Sequence, residues 1–200
     1  YNEITSEYAI RKSYCDLAIK LEDKVSILIE AKAIGITLKH DHIKQAIDYG
    51  SNQGVDWVIL TNADDWKVYK LLYSKPIDKE LIFEFNISDC NSNNSSDIEL
   101  LYYISKEGFS KNLISQFYEQ KKALNKFYLR QSILTDDVLN TIKKVLKKVS
   151  PDVKIENDKI LEVLTKEVIK REVLEEEQAK EASKTISKAL KKATKKKTEE

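Results

Sequence analysis

The segment Val25-Ser-Ile-Leu-Ile-Glu-Ala-Lys32 decides how this chain is read. Its β-branched, nearly continuous apolar run predicts a strand, and in a strand residues two apart share a face. Val25, Ile27, Ile29 and Ala31 therefore point one way and Ser26, Leu28, Glu30 and Lys32 the other, so Glu30 and Lys32 stand side by side. The preceding strand, Tyr14 to Ile19, holds one acid, Asp16. Between the two lies Glu22-Asp23-Lys24, a hairpin turn; centred on Asp23, it pairs positions whose numbers sum to about 46, which sets Asp16 opposite Glu30.

Two carboxylates and an amine at one point of a sheet support two readings on the residues alone. Neighbouring acids repel unless a divalent cation with oxygen ligands joins them. Mg²⁺ suits such a set, with Mn²⁺ as a substitute and the backbone carbonyl of Ala31 as a third protein ligand. The ion would polarise a phosphate, while Lys32 would orient water or neutralise charge developing in the transition state. The other reading is a surface ion pair between Glu30 and Lys32 on the solvated face of an edge hairpin.

Outward from this segment, strands are predicted at Val55 to Thr61, Trp66 to Leu72 and Leu81 to Ile87, with a helix over Leu38 to Asn52 that carries Ile43, Ala46 and Ile47 on one face. The order strand, strand, helix, strand, strand, strand predicts an α/β fold, followed by an α-helical C-terminal extension. The polar stretch from Asn86 to Asp97 reads as a linker. Beyond it Leu113 to Tyr128 and Val138 to Val149 carry apolar stripes of helical period, with Ser110 and Thr135 or Asp136 as N-caps and Ser150-Pro151 as a stop. The expected organisation is a domain over 1–90, a linker over 91–97, a helical region over 98–171 and a charged tail over 172–200. Seven lysines and no acid between Lys184 and Lys197 describe either a solvated helix face or a basic arm for phosphate contacts.

Composition sets the limits. The 34 basic and 33 acidic residues leave a net charge of +1, so no chain-wide field attracts nucleic acid, and any basic surface must be local. At 42% hydrophobic the chain is too apolar to be disordered, and no run approaches the roughly 18 apolar residues of a membrane span. The two cysteines, Cys15 and Cys90, form neither a disulfide framework nor a zinc motif and fit a reducing cytoplasm. The absence of methionine in a chain that begins at Tyr1 reads as a fragment whose N-terminus lies upstream. His40 and His42 fit a polar helix start or DNA contacts, Asp64 and Asp65 a turn, and Trp57 and Trp66 sheet packing.

Asp16, Glu30-Ala-Lys32 closing an apolar strand, Gln45-Ala-Ile-Asp-Tyr49 on the next helix, Gly54 to Asn62 with its Thr61-Asn62 ending, and Asp65-Trp-Lys-Val-Tyr69 together resemble the N-terminal nuclease domain of type I restriction enzyme R subunits and their stand-alone relatives. That domain is of the PD-(D/E)XK nuclease superfamily, and the likeness, which spans about Glu3 to Ile87, implies a restriction-endonuclease-like fold with a mixed central β-sheet flanked by helices. The resemblance implies Asp16 and Glu30 as metal ligands, Lys32 as the catalytic lysine, and Gln45 and Tyr49 as a Q-x-x-x-Y pair that engages DNA or supports the site. It also implies a Mg²⁺-dependent endonuclease acting on double-stranded DNA in the cytoplasm, with restriction-modification subunits, or a second copy through the helical region, as partners. An acid on a helix before the first strand, frequent in such sites, is not seen here, and neither Glu3 nor Glu7 takes its place. No GxxxxGK[ST] occurs, so the ATP-driven translocase of a full R subunit is not in this chain. The competing expectation is a catalytically inactive nuclease-like domain kept for DNA binding or for assembly with restriction-system partners.

Overall fold

The computed structural model of the chain describes residues 3–10, 13–170 and 177–198; the side chains of residues 10, 13, 14, 40, 45, 177 and 191–198 fall outside that description. Two compact units form, Tyr1–Gln116 and Phe117–Glu200.

The first unit is built on a six-stranded sheet: β1 (Ile4–Ile10), β2 (Ser13–Leu21), β3 (Lys24–Ala31), β4 (Trp57–Thr61), β5 (Asp65–Leu72) and β6 (Asp78–Asn86), in that spatial order. All neighbours are antiparallel except β3 and β4, which run parallel. A parallel pair cannot be closed by a tight turn, and the required crossover contains α1 (Lys44–Gln53). Gly54 ends that helix in the left-handed conformation at φ 66°, its N–H returning to the Gly50 carbonyl. The sheet is thus mixed, as expected for an α/β fold.

Both faces of the sheet are covered. On one, Ala18, Leu28, Val58, Leu60, Tyr69 and Leu71 join Ile43, Ala46 and Tyr49 from the α1 side in a single buried cluster. On the other, Trp57 meets Phe109 of α3 (Lys106–Ser110) edge-on at 6.3 Å between ring centroids, and Phe83 meets Tyr103 of α2 (Ser95–Tyr103). Residues Ile27 to Glu30 are consequently buried in an unbroken run, the pattern of a central strand rather than of an edge hairpin. β3 pairs with β2 on one side and β4 on the other.

The hairpin before β3 reaches the expected register by a different route. Glu22 and Asp23 form its two-residue turn, both at positive φ (51° and 61°), so the pairs beside the turn are Leu21 with Lys24 and Lys20 with Val25. A register shift between Ile19 and Lys20 then moves the ladder by one, giving Ile19 with Ile27 and Leu17 with Ile29. That bulge aligns Asp16 with Glu30.

The polar stretch after β6 holds a short 3-10 turn, Ile87–Asp89, and the start of α2, whose N-cap Asn94 accepts from the Ser96 N–H. Ser110 does not cap a helix; it closes α3, which Ser105 caps by accepting from the Gly108 N–H. The stripe from Leu113 to Tyr128 divides into α4 (Leu113–Ala123) and α5 (Lys126–Ile133) because the Asn125 side chain accepts the N–H groups of Phe127 and Tyr128 and starts a new helix.

In the second unit α6 (Asp136–Val149) starts after Thr135 as expected and stops at Ser150. It is followed by α7 (Asn157–Val163), a π-helical turn over Leu164–Val168, and α8 (Glu177–Thr198). Phe127 of α5 packs with Ala179 and Ala182 of α8, flanked by Tyr128 and Ile169. Residue 171, at the end of the helical region, and residues 172–176 and 199–200 of the charged tail lie outside the described residues. No helix among the described residues is long and apolar enough to cross a membrane.

Leu28, fully buried two residues before Glu30, anchors the centre of the sheet. Leu28→Ala is expected to cost about 2–5 kcal/mol through lost transfer energy and the cavity left behind, read as a lower urea midpoint at unchanged slope.

Candidate active site at the end of the central strand

Among the described residues, the buried polar or charged side chains are Glu30, Thr61 and Asn62, and all three sit at one end of the sheet, where β3 and β4 run out together. Burying a polar group costs free energy unless its hydrogen bonds are replaced. Thr61 and Asn62 are provided for: the Thr61 hydroxyl accepts from the Ala63 N–H at 3.0 Å, and the Asn62 amide donates to the Ile36 carbonyl at 2.9 Å and accepts from the Asp64 and Asp65 N–H groups.

Glu30 is only half provided for. It is 4% exposed; its Oε1 receives the Lys32 ammonium at 2.5 Å, while its Oε2 is buried with no hydrogen-bond partner. The alternation expected from the sequence holds, since Glu30 and Lys32 do share a side. What the sequence did not reveal is that this side is covered: Glu30 pairs in the ladder with Leu60, and Leu60 and Leu28 are both in the cluster packed under α1. The surface-pair reading fails on this point. Lys32 is about a third exposed, with its backbone N–H bound to the Thr61 carbonyl at 2.8 Å.

Asp16 is exposed and lies where the β2–β3 ladder ends. Its Oδ2 accepts the Ala31 N–H at 2.7 Å, so the carboxylate stands at the peptide that links Glu30 to Ala31. The β1–β2 ladder also skips its partner position: Glu7, across from Asp16, adopts φ 46°. Asp16 interrupts the pairing on both of its sides. Glu3, by contrast, forms an ion pair with Lys106 at 2.6 Å, and the lysine holds its carboxyl below the usual range.

Tyr49 is buried beneath α1 in the cluster that contains Leu28 and Leu60, and so supports the face carrying Glu30. Gln45 lies on the same helix one turn earlier; its side chain is outside the described residues, as is that of His40. His42 accepts the Lys39 N–H through Nδ1 at 3.3 Å. Cys15 is no nucleophile: burial pushes its thiol up to about 11, and it donates to the carbonyls of Ile29 and Leu17. Trp57 is buried sheet packing, and Asp65 takes part in the β4–β5 turn, as expected.

A buried carboxylate oxygen without a donor, a second carboxylate on the adjacent strand and the end of a strand backbone form a set of hard oxygens, the chemistry that Mg²⁺ takes. Among the described residues no three His, Cys, Asp or Glu side chains gather as a metal-holding group, so the set offers two carboxylates and backbone oxygen. Sequence reasoning missed Asn62 as a site element, although its place in the Thr61-Asn62 ending was visible, because an asparagine after a strand reads as ordinary turn chemistry.

The family model for the type I restriction enzyme R protein N terminus matches residues 2–82, from β1 into β6 and across Asp16, Glu30, Lys32 and Asn62. Over that segment the chain is similar to the type I restriction enzyme R protein N terminus, the family its motifs resemble. No curated protein and no solved structure matches the chain.

An unsatisfied buried carboxylate is a burden on stability rather than a support. Glu30→Gln is therefore expected to leave the metal-free urea midpoint unchanged or to raise it, by up to about 1 kcal/mol; a loss above about 2 kcal/mol would mark the carboxylate as a structural group.

Proposed function

We propose that the first unit is a Mg²⁺-dependent DNA endonuclease domain of the PD-(D/E)XK type, acting within a restriction system. The observation that carries this reading is the orphaned Oε2 of buried Glu30, beside Asp16 and Lys32 and inside the segment that matches the restriction-enzyme family. The large majority of buried side-chain polar atoms are hydrogen-bonded, so an orphaned carboxylate oxygen at 4% exposure calls for a partner. Retention of an unpaired one fits a group kept for a ligand.

In this reading Glu30, Asp16 and the Ala31 carbonyl hold the cation. When bound, the ion supplies Lewis-acid polarisation of the scissile phosphate. The chain's own residues do the remainder. The Asp16 bond to the Ala31 N–H ties its carboxylate to the peptide that follows Glu30. Lys32, restrained by Glu30 and by its backbone bond to Thr61, holds an ammonium at the partly exposed rim, where it meets the phosphate charge that grows in the transition state and orients the attacking water. Tyr49 packs α1 against the Glu30 face, and Gln45, one turn earlier in that helix, takes the DNA-engaging role that the Q-x-x-x-Y resemblance implies. Double-stranded DNA is the substrate, and restriction-modification subunits are the partners.

Supercoiled plasmid with Mg²⁺ is expected to be nicked or linearised by the full chain, and Lys32→Ala is expected to lower the rate by about a hundredfold or more. Equal rates for the two proteins would refute the assignment. Calorimetric titration of Mg²⁺ should give binding to the wild type and none to Asp16→Ala or Glu30→Gln; DNA binding indifferent to both Mg²⁺ and these changes would favour the inactive, assembly-type domain instead.

A further inference from the structure

The segment that follows Lys32 leaves the sheet with little to hold it. Residues 33 to 37 are exposed, Ile34 to 74% and Ile36 to 45%, and the chain is buried again only at Leu38. Within it, Ile36 donates to the Ala33 carbonyl at 3.1 Å across a turn in which Gly35 takes φ 82°, a conformation that glycine supplies without strain. One side chain reaches this turn from elsewhere: Asn62 donates its amide to the Ile36 carbonyl at 2.9 Å.

Asn62 is itself over-determined. It is 4% exposed, its Oδ1 accepts from Asp65 N–H at 2.6 Å and Asp64 N–H at 3.1 Å, and its Nδ2 also reaches Asp65 Oδ2 at 3.2 Å. Asp65 is held in turn by Asn86 at 2.9 Å through its other oxygen. An amide with both ends engaged in a buried network has a single orientation available. The residue before it, Thr61, takes the Lys32 N–H on its carbonyl. Two consecutive residues at the end of β4 therefore grip the chain on both sides of the lysine's exit: Thr61 at residue 32 and Asn62 at residue 36.

We propose that Asn62 is a positioning residue for the site: it pins the Ala33–Ile36 turn and through that turn fixes the backbone from which Lys32 reaches Glu30. This rests on the nuclease reading for its catalytic consequence, and on the hydrogen bonds alone for the pin. Asn62 touches neither DNA nor metal in this account. A displacement of the lysine by about 1 Å is enough to cost on the order of a hundredfold in rate.

The test uses the full chain with three variants. Asn62→Ala removes the amide, and Asn62→Asp keeps an acceptor for the Asp64 and Asp65 N–H groups but cannot donate to Ile36 as a carboxylate. Gly35→Ala strains the turn from its far side without touching the network, and its added Cβ meets nothing within 4 Å, so it serves if the Asn62 variants do not fold. Hydrogen exchange is expected to accelerate about tenfold or more at the Ile36 amide in each variant, with the Val58 amide in the centre of the sheet unchanged. Single-turnover nicking is expected to fall about tenfold to a hundredfold while the dissociation constant for DNA stays within about twofold, a split that general destabilisation would not produce. Unchanged exchange at Ile36 overturns the pin. Faster exchange with unaltered cleavage overturns the positioning role. A wild-type protein that neither nicks DNA nor binds Mg²⁺ would end the nuclease reading, and with it the catalytic half of this one, while the exchange rates would still decide the pin.

Discussion

The parallel pairing of β3 with β4 is the constraint on which the rest of the first unit depends. It demands a crossover, the crossover brings α1 over the sheet, and α1 buries the face that carries Leu28 and Glu30. Because both strands stop together, their last residues meet at one end of the sheet, with no further ladder to satisfy them. Side chains take over that task there. The Asp16 carboxylate receives the Ala31 N–H, the Thr61 hydroxyl receives the Ala63 N–H, and the Asn62 amide ties the departing chain. Polar burial is concentrated at this point because the topology leaves backbone groups unpaired there.

That concentration sets two kinds of buried polar group side by side. Asn62 satisfies the turn of β4–β5 and the turn after Lys32 together, and its whole hydrogen-bonding capacity is used on backbone and Asp65. Glu30 shares the same depth but keeps one oxygen unpaired. A low local dielectric makes each satisfied bond stronger and each missing one more costly. The two residues stand about as deep in the same structure, and the difference between them is what supports Glu30 as the ligand-holding group of the proposed site.

Much of the sheet was legible in the residues. Five strands and the helix between β3 and β4 follow from apolar period and β-branching, and α6 starts after Thr135 and stops at Ser150 where expected, although the Thr135 side chain makes no capping bond. The division of the Leu113 to Tyr128 stripe was not legible, since Asn125 interrupts a helical period that continues unbroken on either side and only its two bonds to Phe127 and Tyr128 mark the new start. The hairpin register was reached for an incomplete reason. A turn centred on Asp23 and a two-residue turn with a bulge further on lead to the same alignment of Asp16 and Glu30, and sequence carries no signal for the bulge.

The sequence by itself determined which residues could do chemistry: strand period puts Glu30 and Lys32 on one side, and one acid in the preceding strand limits the partner to Asp16. Both follow from the two-residue repeat of an extended chain, a local property. Tertiary structure alone decided that Glu30 is buried and half-satisfied instead of solvated, that Tyr49 is packing beneath it, and that Asn62, thirty-two positions along the chain from Glu30, holds the turn after Lys32. Burial and hydrogen-bond completion are set by what packs from elsewhere in the chain. No local pattern specifies them.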